Sequence, residues 1–282
     1  MNSYQLLDSG YFQKLEQIGP YKVVRQAPNA VWKPKLSQKQ WQDVDAIFTR
    51  KSSGRGDWKI LNKKLPELWP IEVQGINFNI RLTSFGHLGI FAEQESNWNL
   101  LKKVIQDSKI QDFKVLNLFA YTGGSTLACA TAGADVVHLD ASKTSNQWAK
   151  ENANSSGLAD ANVRYITDDV VSFVQREIRR GNKYHGIILD PPSFGRGDRK
   201  QVWKIEEHLI PLLDQLKQLL EDNFKFILLS SHSPGYTPIS LENLLKEIMP
   251  KNSEYLSEEM LIHDTTGKSL PSGAYCFAQI TN

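Results

Sequence analysis

A rhythm of short apolar runs, each closed by a turn, constrains this chain more than any other feature. Val115-Leu116-Asn117-Leu118-Phe119 opens into Ala120-Tyr121-Thr122-Gly123-Gly124-Ser125. Further on, Gly186-Ile187-Ile188-Leu189 is closed by Asp190-Pro191-Pro192-Ser193 and followed by Phe194. Strands are expected at 115–119, 135–139, 163–166, 186–189 and 224–229, and helices at 126–131, 143–154, 170–180, 205–220 and 241–248. A further helical pattern covers 97–107, with Trp98, Leu101, Val104 and Ile105 on one side. Uniformly apolar strands alternating with helices predict a parallel sheet covered on both faces. Alternating runs at 258–262 and 274–280 suit an antiparallel hairpin added at one sheet edge, giving seven strands.

The residues before position 91 follow a different pattern, with Trp, Pro and short alternating runs. Strands are expected at 21–26, 71–74 and 76–82, with Gly75 turning the last two as a hairpin, while 51–57 is a flexible basic connection. A chain of 282 residues can hold one large core and one smaller one. The expected organisation is a small antiparallel β domain over 1–90 and a Rossmann-like α/β domain over 91–282. The net charge of +2 hides an asymmetry between them. Residues 1–90 carry 13 Lys and Arg against 7 Asp and Glu, or +6, and the remainder carries 20 against 24, or −4. A basic front end beside an acidic body suits local binding of a polyanion, the alternative being an ordinary soluble surface, which carries charge of this size too.

Met1-Asn2-Ser3-Tyr4 has neither the basic lead nor the apolar run of a signal peptide. No apolar stretch approaches the roughly 18 residues that span a bilayer. Cys129 and Cys276 both lie in apolar surroundings, so buried thiols in a reducing cytoplasm are expected, with no disulfide and no metal site.

Thr122-Gly123-Gly124-Ser125 sits between a strand and a helix. Glycine permits a sharp turn, and the free amides of a helix start favour an anionic group. The alternative for the glycine pair is close helix packing. Three spaced glycines, the cradle of a pyrophosphate, are missing, which argues against a dinucleotide. Asp140 ends the next strand, where a carboxylate can accept both hydroxyl protons of a ribose, or else cap the helix that follows. Asp169 is the preferred acceptor for an adenine amino group, with Asp168 as the alternative helix cap. Phe119 and Tyr121 flank the turn, and a core role competes for Phe119. As a set, these strand ends point to S-adenosylmethionine, held through its methionine carboxylate, ribose and adenine.

Consecutive prolines lock the backbone after Asp190 and donate no amide hydrogen bonds. The Asp190 carboxylate and the Pro191 carbonyl can then hold an amine by its hydrogens, with Pro192 fixing the corner. Phe194 is placed to stack on a planar base, or alternatively to pack in the core. Residues 195–204 carry glycines and basic side chains and are expected to form a mobile lip over phosphates, or a merely solvated loop. His232, in Ser230-Ser231-His232-Ser233, is expected to face the same crevice, where it orients substrate or moves a proton, or else serves the structure.

These segments resemble the bacterial ribosomal RNA methyltransferases related to the large-subunit cytosine-5 enzyme. The matching residues are Asn117-Leu118-Phe119-Ala120-Tyr121-Thr122-Gly123-Gly124, Asp140-Ala141-Ser142, Asp168-Asp169-Val170 and Asp190-Pro191-Pro192-Ser193-Phe194. The resemblance implies a class I methyltransferase body over 91–282, with Ala120, Thr122, Ala141 and Ser142 added to the cofactor contacts. It also implies an RNA partner, ribosomal RNA in particular. Two positions depart from the pattern. His232 stands where the cytosine-5 enzymes place a cysteine nucleophile, and attack on cytosine C6 needs a thiolate-class group. Phe91-Ala92-Glu93-Gln94-Glu95 keeps Gln94, assigned to the cofactor, but carries Glu95 where relatives have arginine. The leading expectation is therefore N-methylation of a base in ribosomal RNA. A protein side-chain nitrogen or a small molecule is the alternative acceptor, and an RNA-binding role without turnover is the third reading.

Overall fold

The computed structural model describes residues 3–51, 55–196 and 201–280. Contacts divide the chain into two units, Met1–Glu95 with Leu261–Ser272, and Ser96–Met260 with Gly273–Asn282.

The first unit contains a five-stranded sheet in the order β1 (Tyr4–Gly10), β2 (Gln13–Ile18), β3 (Tyr21–Gln26), β4 (Ala46–Arg50), β5 (Gly56–Ile60). Helix α1 (Gln38–Gln42) precedes β4 and starts on a capping box in which Ser37 and Gln40 bond reciprocally. Strands β3 and β4 run parallel, while β1–β2, β2–β3 and β4–β5 are antiparallel. A separate hairpin pairs β6 (Trp69–Val73) with β7 (Ile76–Ile80), turning at Gln74 and Gly75 as expected. Buried Glu16 makes an ion pair with Arg25 at 2.6 Å and accepts a hydrogen bond from Tyr4 Oη at 2.9 Å. Burial alone would push the Glu16 carboxyl up, but Arg25, Lys14 and these hydrogen bonds overcome it and hold the pKa down to about 2.

The second unit follows the chain through α2 (Glu95–Ser108), β8 (Lys114–Leu118), α3 (Gly124–Thr131), β9 (Asp135–Asp140), α4 (Lys143–Ser155), β10 (Val163–Thr167), α5 (Val170–Arg179) and β11 (Gly186–Leu189). Then come β12 (Phe194–Arg196), β13 (Val202–Lys204), α6 (Ile205–Leu216), β14 (Phe226–Ser231), α7 (Pro238–Lys246), β15 (Ser253–His263) and β16 (Ser269–Ile280), the end of β15 and the start of β16 being counted with the first unit. The seven-stranded sheet has the order β10-β9-β8-β11-β14-β16-β15, with β16 antiparallel to β14 and the first five strands parallel. This is the expected Rossmann-like α/β fold.

Alternate residues of each central strand feed two cores, as the pleat requires. Leu116, Leu118, Ile187, Leu189, Ile227 and Leu229 face one side. Val115, Ile188, Phe226 and Leu228 face the other, where Phe113, Phe226 and Phe277 stack in sequence.

Some boundaries differ from expectation. The helix expected to reach residue 220 is α-helical only to Leu216 and tightens into a 3-10 turn at Lys217–Leu219. The last two strands are much longer than the runs at 258–262 and 274–280, because their solvent-facing residues break the apolar alternation. No helix among the described residues is long and apolar enough to cross a membrane.

Candidate active site

Strand order brings the two singled-out loops together. The chain runs from β8 outward through β9 and β10, then returns to β11 and β14 on the opposite side of β8. Such a reversal leaves a crevice at the carboxyl ends of the strands. Leu118 lies opposite Leu189 and also opposite Leu139. The residues that follow each of these, Phe119, Asp190 and Asp140, therefore leave the sheet at one level.

Gly123, at φ +90°, is the left-handed N-cap of α3, and no side chain caps that helix. Its first-turn amides remain available for an anion. Gly124 is required for a different reason: a Cβ there would stand 2.6 Å from Cζ2 of Trp98 on α2. Both expected roles of the glycine pair, sharp turn and close packing, are thus present, one at each residue.

Phe119 and Tyr121 also adopt positive φ, +58° and +50°, which is uncommon for bulky side chains. Neighbours hold them there. The Phe119 ring lies 4.7 Å from that of Trp203, and the Tyr121 ring 6.2 Å from that of Trp148. Tyr121 N donates to Asp140 Oδ2 at 2.9 Å, and Ala120 N donates to Leu139 O at 3.0 Å. Asn152 Nδ2 donates to the carbonyl of buried Thr122 at 3.0 Å.

Asp140 Oδ1 accepts from Ser142 N at 2.8 Å. A carboxylate offers about four acceptor positions, so two remain for ribose hydroxyls. Burial raises the Asp140 pKa, opposed by these two backbone hydrogen bonds. The helix cap here is Ser142, whose Oγ accepts from Ser145 N at 3.1 Å, with Ala141 exposed between the two. At the next strand end the expected cap is corrected. Asp169, not Asp168, caps α5 by accepting from Ser172 N at 2.9 Å. Asp168 instead forms an ion pair with Arg176. Asp169 Oδ2 accepts nothing among the described residues and is still available to an amino group.

At the Asp190 corner, Pro191 is buried while Pro192 and Ser193 are exposed. Trp203 Nε1 donates to the Pro192 carbonyl at 2.7 Å, and Ile205 N donates to that of Ser193 at 3.1 Å. At the two ends of the expected lip over 195–204, β12 and β13 pair antiparallel, Phe194 with Lys204 and Arg196 with Val202. The lip's expected phosphate contacts fall largely on 197–200, outside the described residues. Phe194 is 52% exposed, which rules out the core alternative. His232 follows β14, and its Nδ1 lies 3.4 Å from Asp190 Oδ1. Gln94, expected at the cofactor, is buried on the 3-10 turn Ala92–Gln94, which belongs to the first unit.

Sequence reasoning missed the supports of this site. Asn117 Nδ2 donates to Thr126 Oγ1, and Thr126 Oγ1 meets His138 Nδ1, each at 2.8 Å. Burial pushes the His138 pKa down to about 3, so the imidazole is neutral. Asn146 Nδ2 reaches the Asp140 carbonyl at 3.1 Å and Thr167 Oγ1 at 2.7 Å, tying the ends of β9 and β10. Polar residues inside apolar runs, such as His138 between Val137 and Leu139, were the available signal. Cys129 on α3 and Cys276 on β16 are both free and buried; Cys276 lies opposite Leu229, at the level of Leu189, and burial raises each thiol pKa.

The family model for S-adenosylmethionine-dependent methyltransferases matches residues 47–221. A crystal structure of the S-adenosylmethionine-dependent methyltransferase from Agrobacterium tumefaciens is 38% identical, covering 99% of this chain and 91% of that one at a TM-score of 0.94. Ribosomal RNA large subunit methyltransferase K/L of Aliivibrio fischeri is 28% identical over 176 residues, 62% of this chain. Ribosomal RNA large subunit methyltransferase I of Aeromonas salmonicida is 31% identical over 125 residues, 44% of this chain. The chain spans 24% of the first of these curated relatives and 30% of the second. It belongs to the S-adenosylmethionine-dependent methyltransferase family.

Proposed function

We propose that this methyltransferase N-methylates a base in ribosomal RNA. The observation that carries the reading is the shared level of Phe119, Asp140 and Asp190 at the switch point, with His232 beside Asp190. The donor set fits the cofactor: uncapped α3 amides for a carboxylate, Asp140 for a ribose, and Asp169 for an adenine amino group. Phe119, Ala120, Tyr121, Thr122, Gly123 and Gly124 would form its wall, followed by Ala141 and Ser142. S-adenosylmethionine, when bound, supplies an electrophilic methyl group.

Asp190 and the Pro191 carbonyl accept hydrogen bonds from the substrate amine, which aims its lone pair along the line of transfer. Pro192, pinned by Trp203, keeps that corner from turning away. Phe194 supplies an exposed ring for stacking the target base. As nitrogen gains the methyl group it gives up a proton, which His232 relays from the Asp190 side to solvent. Cys276 reaches the level of Leu189 but is fully buried beside Ser257, whereas His232 stands beside Asp190, which supports nitrogen over cytosine C5 as the acceptor.

RNA is favoured by the names of the relatives and by charge. The first unit carries 14 Lys and Arg against 10 Asp and Glu, or +4, while the second carries 19 against 21, or −2. The free buried thiols suit a cytoplasmic setting. Nucleoside mass spectrometry of ribosomal RNA, from cells with and without the gene, tests the proposal. One methylated nucleoside should vanish and return on complementation. Unchanged ribosomal RNA, with label from tritiated donor entering protein or a small molecule instead, would overturn it.

A further inference from the structure

Two aromatic side chains stand exposed at the tip joining β1 to β2. Tyr11 is 59% and Phe12 58% exposed, and their φ angles are +49° and +63°. Glycine takes this backbone freely, whereas a bulky side chain resists it. Phe119 and Tyr121 adopt the same conformation with other rings packed against them. The Tyr11 and Phe12 rings meet no other ring among the described residues.

The tip is nonetheless firmly built. Tyr11 N donates to Trp32 O and Phe12 N to Ala30 O, both at 2.8 Å, and Ala27 N donates to Phe12 O at 2.8 Å. Gly10 lies so close to Pro34 that a Cβ would stand 2.4 Å from its nitrogen. Exposed Val31 lies in sequence between the paired residues Ala30 and Trp32, and Lys33 and Lys35 follow it. Lys35 Nζ donates to Thr266 O, and Lys268 Nζ donates to Lys33 O, each at 2.6 Å. Each of these ammonium groups keeps two further donors, and no ion pair engages Lys33, Lys35 or Lys268 among the described residues. Asp8 and Asp264 lie beneath, but both are buried and already accept backbone and side-chain hydrogen bonds. From residue 17 to 42 the chain has five Lys and Arg and no Asp or Glu.

We infer that Tyr11 and Phe12 form a stacking platform for unpaired bases of an RNA strand, whose phosphates are met by Lys33, Lys35 and Lys268. The inference rests on RNA being the acceptor, and it adds a second contact outside the crevice. Aromatic faces beside unneutralised cations are the chemistry of single-strand binding. An apolar protein surface would leave the ammonium groups without counter-charge.

The test is fluorescence anisotropy of the full chain with a labelled single-stranded oligoribonucleotide of mixed sequence, across a salt series. The double variant Tyr11→Gly with Phe12→Gly should bind about a hundredfold more weakly, roughly tenfold per stacked base. Its melting temperature should hold or rise, because glycine relieves the left-handed backbone. Lys33→Gln with Lys35→Gln should flatten the salt slope by about 1.4. Equal RNA binding by the glycine variant, or no binding by the parent chain, overturns the platform. So does a dimer in analytical ultracentrifugation that the glycine variant loses, since the rings would then serve a second copy. Methyl transfer is measured in parallel. Platform-dependent binding without transfer to RNA would sink the proposed activity alone, whereas unaltered transfer at limiting RNA in the glycine variant would sink the platform alone.

Discussion

The sheet of the first unit and the crevice of the second bury polar groups in opposite ways, although the second unit also buries the charge of Glu177 against Arg180, Asn182 and Tyr184. In the first, Glu16 and Arg25 are interred as a charged pair, with every oxygen of the carboxylate engaged. In the second, the polar residues beneath the crevice are neutral: His138, Thr126, Asn117, Asn146 and Asn152. A charged pair satisfies itself and leaves little for a ligand. A neutral network can fix a loop's shape while leaving the Asp140 and Asp190 carboxylates for the ligand contacts proposed above.

The contrast can be broken or sharpened experimentally. The largest effect is expected from Asp190→Ala, which should lower the rate of transfer by about a thousandfold with affinity for S-adenosylmethionine within threefold of the parent, roughly the scale of a lost acid–base group. Isothermal titration calorimetry and single-turnover assays would measure both, and retained turnover would remove Asp190 from the chemistry. Glu16→Gln should cost about 3–5 kcal/mol in calorimetric unfolding, because it strands the Arg25 guanidinium, while donor binding by the folded protein is preserved.

Acid should act on the two units in sequence. The folded pKa of His138 is about 3, below its ordinary 6.5. The unfolded chain therefore takes up a proton first, and stability falls as pH drops through that window, by at most about 1.4 kcal/mol per pH unit. Glu16, lowered to about 2 from 4.5, contributes fully above 4.5 and loses its contribution as pH falls toward 2. Hydrogen exchange against pH should show the crevice loosening before the front sheet, and the reverse order would break the contrast. The smallest effect is expected from Trp203→Phe, which keeps an aromatic ring against Phe119 but loses the hydrogen bond to Pro192. It should cost about 1 kcal/mol of stability and roughly tenfold in kcat, with KM for the donor unchanged.

Much of the second unit was legible because parallel strands buried on both faces are written as unbroken apolar runs. The strand ends then located the crevice without further information. The front sheet was harder to read. Strand β1 carries buried Asp8 and Ser9 and has a register shift between Leu6 and Asp8, so its alternation fails where it would be diagnostic. Adjacent carboxylates posed another limit, since Asp168 and Asp169 differ only in backbone direction and composition cannot choose the cap. Trp203 was hidden for a different reason. Its partner, the Pro192 carbonyl, is a main-chain atom, which no side-chain pattern announces.

One hydrogen bond joins Ser9 to Asp264 across 255 positions of sequence, and Leu6, Ala27 and Ala30 share a cluster with Ile262 and Leu270. During synthesis, the earliest strands must therefore wait, unsatisfied, until the segment beyond residue 260 has emerged. The front unit is begun before the other and completed only after most of it has been made, so a nascent chain stalled before residue 261 should be a preferred client of chaperones.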